Sequence, residues 1–382
     1  MDFAPNEEHS ALKEAVAAIC DGFGAPYYQS RAESRTPTSE LWQSLADHGY
    51  IGINLPEQYG GGGAGLTELA MVCEESAARG TPLLLLLVSS AISGEVIATY
   101  GTASQRERWL PKLASGEAKI VFAITEPSAG SNTHRLATFA RREGDSWSIS
   151  GEKYYISGVD EAEAILVVAR TSHPNEKARL SLFLVDSDAP GLTRIPLPVS
   201  VALPERQFTL RFDDVKVSAD RLVGTEGDGF RQVFQGLNPE RITGAAICVG
   251  IGRYALDRAT EYANARVVWD APIGTHQGVA HALAKAKIEV ELAALMTAKA
   301  AWLHDRDLPA GEASNMAKYA AAEAALAAID AAIQTHGGNG LATEYGLVPY
   351  WGMARLLRIA PVNREMILNY VAQHSLGLPR SY

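Results

Sequence analysis

Hydrophobic and polar positions change their period twice along the chain. From about residue 6 to about residue 117, apolar side chains recur at helical spacing, which predicts a small all-helical domain. A glycine run, Gly60 to Gly63 after Tyr59, interrupts it and reads as a flexible connection. The most apolar run, residues 83–88, is soon broken by Ser89, Ser90, Gly94 and Glu95. It falls well short of the roughly 18 residues a membrane span needs and reads as a buried core helix. From about 120 to 228 the pattern becomes strand-like, with segments at 145–150, 164–169, 180–185 and 207–212 separated by Gly, Asp and Pro turns. Several short strands without intervening helices predict an antiparallel barrel or sandwich. From about 229 helical spacing returns. An alanine-rich stretch at 314–334 stops at Gly337 and Gly338 and offers Ser314 as its N-cap. The expected fold class is α+β, in three parts: an N-terminal all-helical domain at 1–119, a middle β domain, barrel or sandwich, at 120–228 and a C-terminal helical bundle at 229–382.

The length agrees with this division, since 382 residues are too many for one core. A net charge of −10 argues against a nucleic-acid or anionic-membrane partner, each of which needs a basic face. Small anions can still bind through local arginines. Cys20, Cys73 and Cys248 lie far apart, with no Cys-x-x-Cys pair and no histidine cluster at ligand spacing. Neither a disulfide framework nor a zinc site is expected. The acidic start carries no apolar segment behind a basic one, so no signal peptide is read and the expected compartment is the cytoplasm.

Two segments carry candidate chemistry. Residues 122–132 read Phe-Ala-Ile-Thr-Glu-Pro-Ser-Ala-Gly-Ser-Asn. Small and hydroxyl residues (Thr125, Ser128, Gly130, Ser131) follow the apolar Phe122 and Ile124, so backbone N–H groups and side-chain oxygens can crowd against a flat polar ring or phosphates. Residues 151–158 read Gly-Glu-Lys-Tyr-Tyr-Ile-Ser-Gly. On an extended strand Tyr155 and Ser157 share a face, offering an aromatic surface and a hydroxyl to a bound ring. Either segment alone is equally an ordinary turn beside an edge strand. Together they read as a flavin seat.

The pair resembles the acyl-CoA dehydrogenase family, whose loop reads Thr-Glu-Pro-x-Ala-Gly-Ser-Asp and whose next strand carries Gly-x-Lys-x-Trp-Ile-Thr. Asn132 stands for the Asp, Tyr155 for the Trp and Ser157 for the Thr. The resemblance covers nearly the whole chain and implies an antiparallel β-barrel for the middle domain, at 120–228, and a C-terminal four-helix bundle. Residues 212–217 with 227–230 are similar to the family's exit from its β domain. Arg266, Trp269, Pro272, Ile273 and Gln277 match Arg-x-x-Phe-Gly-x-Pro-Ile with a downstream Gln, Trp269 replacing Phe and Asp270 replacing Gly. Residues 334–340, before Glu344 and Tyr345, are close to the family's Gln-x-x-Gly-Gly-x-Gly turn. The resemblance implies FAD as cofactor, held by Phe122, Ile124, Thr125, Gly130, Ser131, Tyr155, Ser157, Arg266, Trp269, Gln277, Gln334, Gly337 and Gly338. In the family the Arg and the Gly-Gly turn reach the flavin of a neighbouring subunit, which implies a homotetramer or homodimer. Arg suits a pyrophosphate and glycine permits close backbone approach. A surface Arg and a helix C-cap are the competing readings.

The resemblance also implies an acyl-CoA substrate that loses its α-proton to a carboxylate and its β-hydrogen as hydride to the flavin, with electrons passed to an electron-transfer flavoprotein. Most members carry the base in a Glu-Gly-Thr motif, where this chain has Pro361-Val362-Asn363. Members similar to isovaleryl-CoA and long-chain enzymes place it in Leu-x-x-Glu-Arg. Here Leu237 opens that pattern, making Glu240 the candidate base with Arg241 beside it, and Ser131 and Arg241 the candidate substrate contacts. The competing reading has Asn238 capping a helix, Pro239 opening it and Glu240 complementing the dipole. Burial is expected to raise the pKa of Glu240 against the pull of Arg241. Pro361 lacks an N–H that in the family commonly donates to the thioester oxygen, a loss of about 3 kcal/mol unless a backbone shift, a ribityl hydroxyl or Asn363 replaces it. These departures leave two alternatives: a flavin oxidase or monooxygenase of the same fold, and a catalytically silent subunit of a heteromeric dehydrogenase.

Overall fold

The computed structural model describes residues 6–172 and 179–380. Tyr382, whose C-terminal tail has no physical account in the sequence, lies outside the described residues. The first part contains α1 (Glu7–Asp21), α2 (Gly24–Ser34), α3 (Ser39–Asp47) and α4 (Leu66–Ala78). A π-wound helix (Leu86–Gly94), α5 (Glu95–Tyr100) and α6 (Ala103–Ala114) follow. Local signals set the ends: Asn6 caps α1 by accepting the Glu8 N–H, and Thr102 and Gln105 form a reciprocal capping box on α6. The apolar run expected to be a core helix is buried, and it winds on into the π-helix, every residue of which is buried.

The glycine run is not a flexible connection. A side chain at Gly61 would sit 2.2 Å from the carbonyl oxygen of Leu55, and one at Gly62 would sit 2.8 Å from that of Ile53. The N–H groups of Gly62 and Gly63 donate to the carbonyls of Gly52 and Leu55. The glycines are there because backbone meets backbone, which no larger residue permits.

The middle part is one sheet: β1 (Ile120–Ala123), β2 (Phe139–Glu143), β3 (Ser146–Ser157), β4 (Ala164–Arg170), β5 (Leu180–Asp186), β6 (Leu192–Leu197), β7 (Gln207–Ser218) and β8 (Leu222–Val223). Its order is β6-β7-β3-β2-β4-β5-β8, with β1 also on β4. The pairing differs from the expected all-antiparallel barrel in that β1 runs parallel to β4, and β2 meets β4 in parallel at Phe139 and Arg170. The chain between β1 and β4 passes through a loop and the β2–β3 hairpin, so β4 enters from the same end as β1. β4 is buried from Ala164 to Ala169. Its apolar run lacks alternation because both faces are covered.

The last part contains α7 (Gly229–Ala265), a two-residue hairpin of β9 (Val267–Val268) and β10 (Ala271–Pro272), α8 (Gln277–His304), α9 (Gly311–His336), α10 (Val348–Ile359) and α11 (Arg364–Tyr370). Helices α7, α8 and α9 pack on one another, and α4 packs on α7. Helix α9 begins at Gly311, so Ser314 is not its cap but lies buried in its first turn, donating to the Ala310 carbonyl at 2.8 Å. Helix α7 passes straight through Pro239. Asn238 and Pro239 therefore open no helix, and Glu240 is far from the dipole's positive end. Among the described residues no helix is long and apolar enough to cross a membrane.

Candidate functional site

The loop after β1 is pinned to β3 by a buried ion pair. Lys153 Nζ lies 2.9 Å from Glu126 Oε1 and also donates to the Ile124 carbonyl at 2.9 Å. The Glu126 carboxylate accepts the N–H groups of Ala137 and Thr138 at 2.7 and 2.9 Å. Burial works against the charge on Glu126, yet Lys153 and these N–H groups hold it below the usual glutamate range. Burial draws Lys153 down to about 8 despite Glu126. Both are therefore ionised near neutral pH. The Tyr154 N–H donates to the Thr125 carbonyl at 2.8 Å, completing the link between the two motifs. Glu126 and Lys153 were missed as site residues although both lie inside the two motifs: a carboxylate in the loop and a lysine two residues after Gly151 in the next strand were the available signal.

The two-residue alternation read for β3 fails at its end. The register against β7 shifts between Lys153 and Ile156, and Tyr155 takes φ 58°. This bulge turns Tyr154 and Tyr155 out together, their ring centroids 4.3 Å apart, and leaves Tyr155 55% exposed. Tyr155 presents its ring because of the bulge. Ser157 is on a different footing: its hydroxyl exchanges hydrogen bonds with the Gln207 carboxamide at 2.9 and 3.1 Å. Thr125, Ile124 and Phe122 are half-buried, whereas Gly130, with open space where a side chain would be, and Ser131 are exposed. Asn363 Nδ2 donates to Ser131 Oγ at 2.8 Å, bringing the start of α11 to the loop.

Arg266, Trp269, Gln277, Gln334, Gly337 and Gly338 form a second group, all exposed. They lie where α7 ends, α8 begins and α9 ends, and Asn339 ties two of these ends by donating to Tyr262 Oη at 3.0 Å. Trp269 and Asp270 have φ 54° and 64°, the left-handed pair of a tight hairpin turn, which explains why glycine also suits the second position. Trp269 is 87% exposed. No hydrogen bond joins this group to the Thr125–Ser131 loop among the described residues.

Glu240 lies on α7 in line with Gly236 and Gly244, one turn to either side. A side chain at Gly236 would lie 3.1 Å from both Ile92 and Val96, and one at Gly244 would lie 3.3 Å from Leu87. The shared face thus meets the apolar π-helix. Glu240 is buried, and its Oε2 has no hydrogen-bond partner among the described residues. Burial pushes its pKa up to about 8, with Arg241 and the buried Lys318 of α9 pulling the other way. Arg241, also buried, donates from Nη1 to Asn238 Oδ1 at 3.0 Å and leaves its Nε unpartnered. A carboxyl kept near neutral pKa against an apolar wall can accept a proton from a weak carbon acid that displaces the remaining water.

A sheet domain between two helical ones carries a loop of exposed hydroxyls and a buried carboxyl of raised pKa, and this fold is that of a class of oxidoreductases. The chain belongs to the acyl-CoA dehydrogenase family: residues 6–117, 121–215 and 227–376 match its N-terminal, middle and C-terminal domains. It is 54% identical to acyl-CoA dehydrogenase FadE12 of Mycobacterium tuberculosis, over 100% of this chain and 99% of that one. It is similar to the solved glutaryl-coenzyme A dehydrogenase in complex with glutaryl-CoA (TM-score 0.95, 30% identity, 100% of this chain and 98% of that one). It is similar also to a glutaryl-CoA dehydrogenase from Mycobacterium smegmatis in complex with FADH2 (TM-score 0.92, 25% identity, 99% and 96%).

Proposed function

We propose that the protein is an FAD-dependent acyl-CoA dehydrogenase that uses Glu240 as base and gives a 2,3-enoyl-CoA. The observation that carries this reading is the buried Glu240 carboxyl, one oxygen unpartnered, on the face of α7 that meets the π-helix. The residues around the loop suit FAD: Tyr155 offers an exposed ring, Ser131 a hydroxyl, and Gly130, Gly337 and Gly338 have open space where a side chain would be. FAD, when bound, supplies the acceptor for the β-hydrogen, taken as hydride. Glu240 takes the α-proton on its free oxygen. Arg241 holds positive charge beside it and favours the carboxylate, while the wall of Leu87, Ile92 and Val96 excludes water and opposes ionisation. The Glu126–Lys153 pair keeps the loop against β3.

The group of Arg266, Trp269, Gln277, Gln334, Gly337 and Gly338 is exposed and, among the described residues, makes no hydrogen bond to the loop of its own chain, which supports a role toward the FAD of a second copy in a homotetramer or homodimer. The electron acceptor in this reading is an electron-transfer flavoprotein. Anaerobic titration of wild type and Glu240→Gln with straight, branched and cyclic acyl-CoAs, read by flavin bleaching, tests the proposal. One acyl class bleaches the wild type and leaves the variant oxidised. Bleaching that survives in the variant removes Glu240 as base, and none in the wild type despite bound flavin ends the dehydrogenase reading.

A further inference from the structure

Asn363 stands where most of the family carry the Thr of Glu-Gly-Thr, and both ends of its carboxamide are engaged. Its Oδ1 accepts the Met366 N–H at 2.9 Å, capping α11, and its Nδ2 donates to Ser131 Oγ at 2.8 Å. The cap decides the orientation: the amide oxygen is committed to a backbone donor, so the NH2 group faces the serine. Ser131 makes no other hydrogen bond among the described residues, and it is exposed. A serine oxygen that accepts from an N–H keeps its single proton for another acceptor.

We infer that Asn363 is a positioning residue that fixes Ser131 as a hydrogen-bond donor to an acceptor oxygen of the bound ligand, either a flavin-nucleotide oxygen or the acyl-thioester carbonyl. The inference rests on the reading of the Thr125–Ser131 loop as the ligand seat. It gives a physical sense to the segment's departure from the family pattern. Pro361 removes one backbone donor from this junction, and the carboxamide two residues on holds a hydroxyl donor at the same junction. The two partners are 232 residues apart in sequence, so the C-terminal helix sets the proton direction of a loop in the sheet domain.

The substitution Asn363→Asp separates capping from orientation. A carboxylate still accepts the Met366 N–H, so the cap and the melting temperature are kept. Its second oxygen now accepts the Ser131 proton and reverses the hydroxyl. Two affinities are measured: FAD for the apoprotein, by flavin fluorescence, and an enoyl-CoA product for the holoenzyme, by flavin absorbance. The expected result is a loss of about five- to tenfold in one of them, the size of one hydrogen bond. Ser131→Ala should show the same loss, and Ser131→Ala with Asn363→Asp should be no weaker than Ser131→Ala alone. Whichever affinity falls identifies the ligand oxygen. If the aspartate still weakens binding in the Ser131→Ala background, charge repulsion is the cause and the inference fails. If Ser131→Ala weakens binding but Asn363→Asp does not, the inference fails while the seat stands. If Ser131→Ala changes neither affinity, the seat reading itself fails.

Discussion

Replacing Glu240 by Gln gives results of opposite sign for the two roles a buried carboxyl can have. In the folded protein the Glu240 pKa stands at about 8 against an ordinary 4.5, mainly because burial disfavours the charge. That gap of about 3.5 pH units corresponds to about 5 kcal/mol. Below pH 4.5 the group is protonated in both folded and unfolded chains, and wild type and variant should be alike. Between 4.5 and 8 the unfolded chain gives up its proton while the folded chain keeps it, so wild type loses about 1.4 kcal/mol of stability per pH unit relative to the uncharged glutamine. The variant is then ahead by about 2 kcal/mol at pH 6 and by about 5 kcal/mol at pH 9, while turnover falls by roughly 10²–10⁴-fold. If Glu240 instead served a structural ion pair with Arg241, its removal would leave a buried guanidinium uncompensated and cost about 3–5 kcal/mol. Urea unfolding midpoints of the two proteins at pH 5, 7 and 9, read by tryptophan fluorescence at fixed FAD concentration, decide between them. A variant midpoint below wild type at pH 9 would refute the reasoning.

The same group sets the pH dependence of the half-reaction: the rate of flavin bleaching by acyl-CoA should rise about tenfold per pH unit below 8 and level off above it, because the base acts only as the carboxylate. A flat profile from pH 6 to 8 in stopped-flow would remove Glu240 from the step. Glu126→Gln leaves Lys153 buried without its counter-charge and should lower stability by about 3–5 kcal/mol and raise the FAD dissociation constant; unchanged thermal unfolding would show that the pair is dispensable. Arg266→Ala and Ser131→Ala should each impair activity when pure, and subunits of the two refolded together should regain part of it if each site takes Arg266 from a neighbouring copy. No recovery in the mixture would place Arg266 in its own chain's site or in none.

Much of the architecture was legible because the period of apolar positions changes where the elements change, near residues 120 and 229. What was misread depended on partners distant in sequence. Glycines 61 and 62 looked flexible, since the chain alone does not show the backbone of residues 53 and 55 pressed against them. Tyr155 was assigned a face by alternation, but the bulge depends on pairing with β7, which sequence periodicity does not carry. The competing reading of Pro239 as a helix start, a position proline favours, fails because packing against the π-helix and α9 carries α7 through it. The candidate residues were found as types in a pattern. The raised pKa of Glu240 was expected from burial, whereas the Lys153–Glu126 contact was not, because it arises only when separate segments meet.

That buried pair bears on how a cofactor would be acquired. With Lys153 bonded to Glu126 and the Ile124 carbonyl, and Glu126 to two backbone N–H groups, the loop holds its shape through protein contacts alone. Preorganisation of this kind removes the ordering entropy that a disordered segment pays at the moment of binding. Uptake of the cofactor should then resemble docking to a finished surface: a heat-capacity change no larger than the ligand's own buried area explains, and hydrogen-exchange protection in the loop that is already present in the apoprotein.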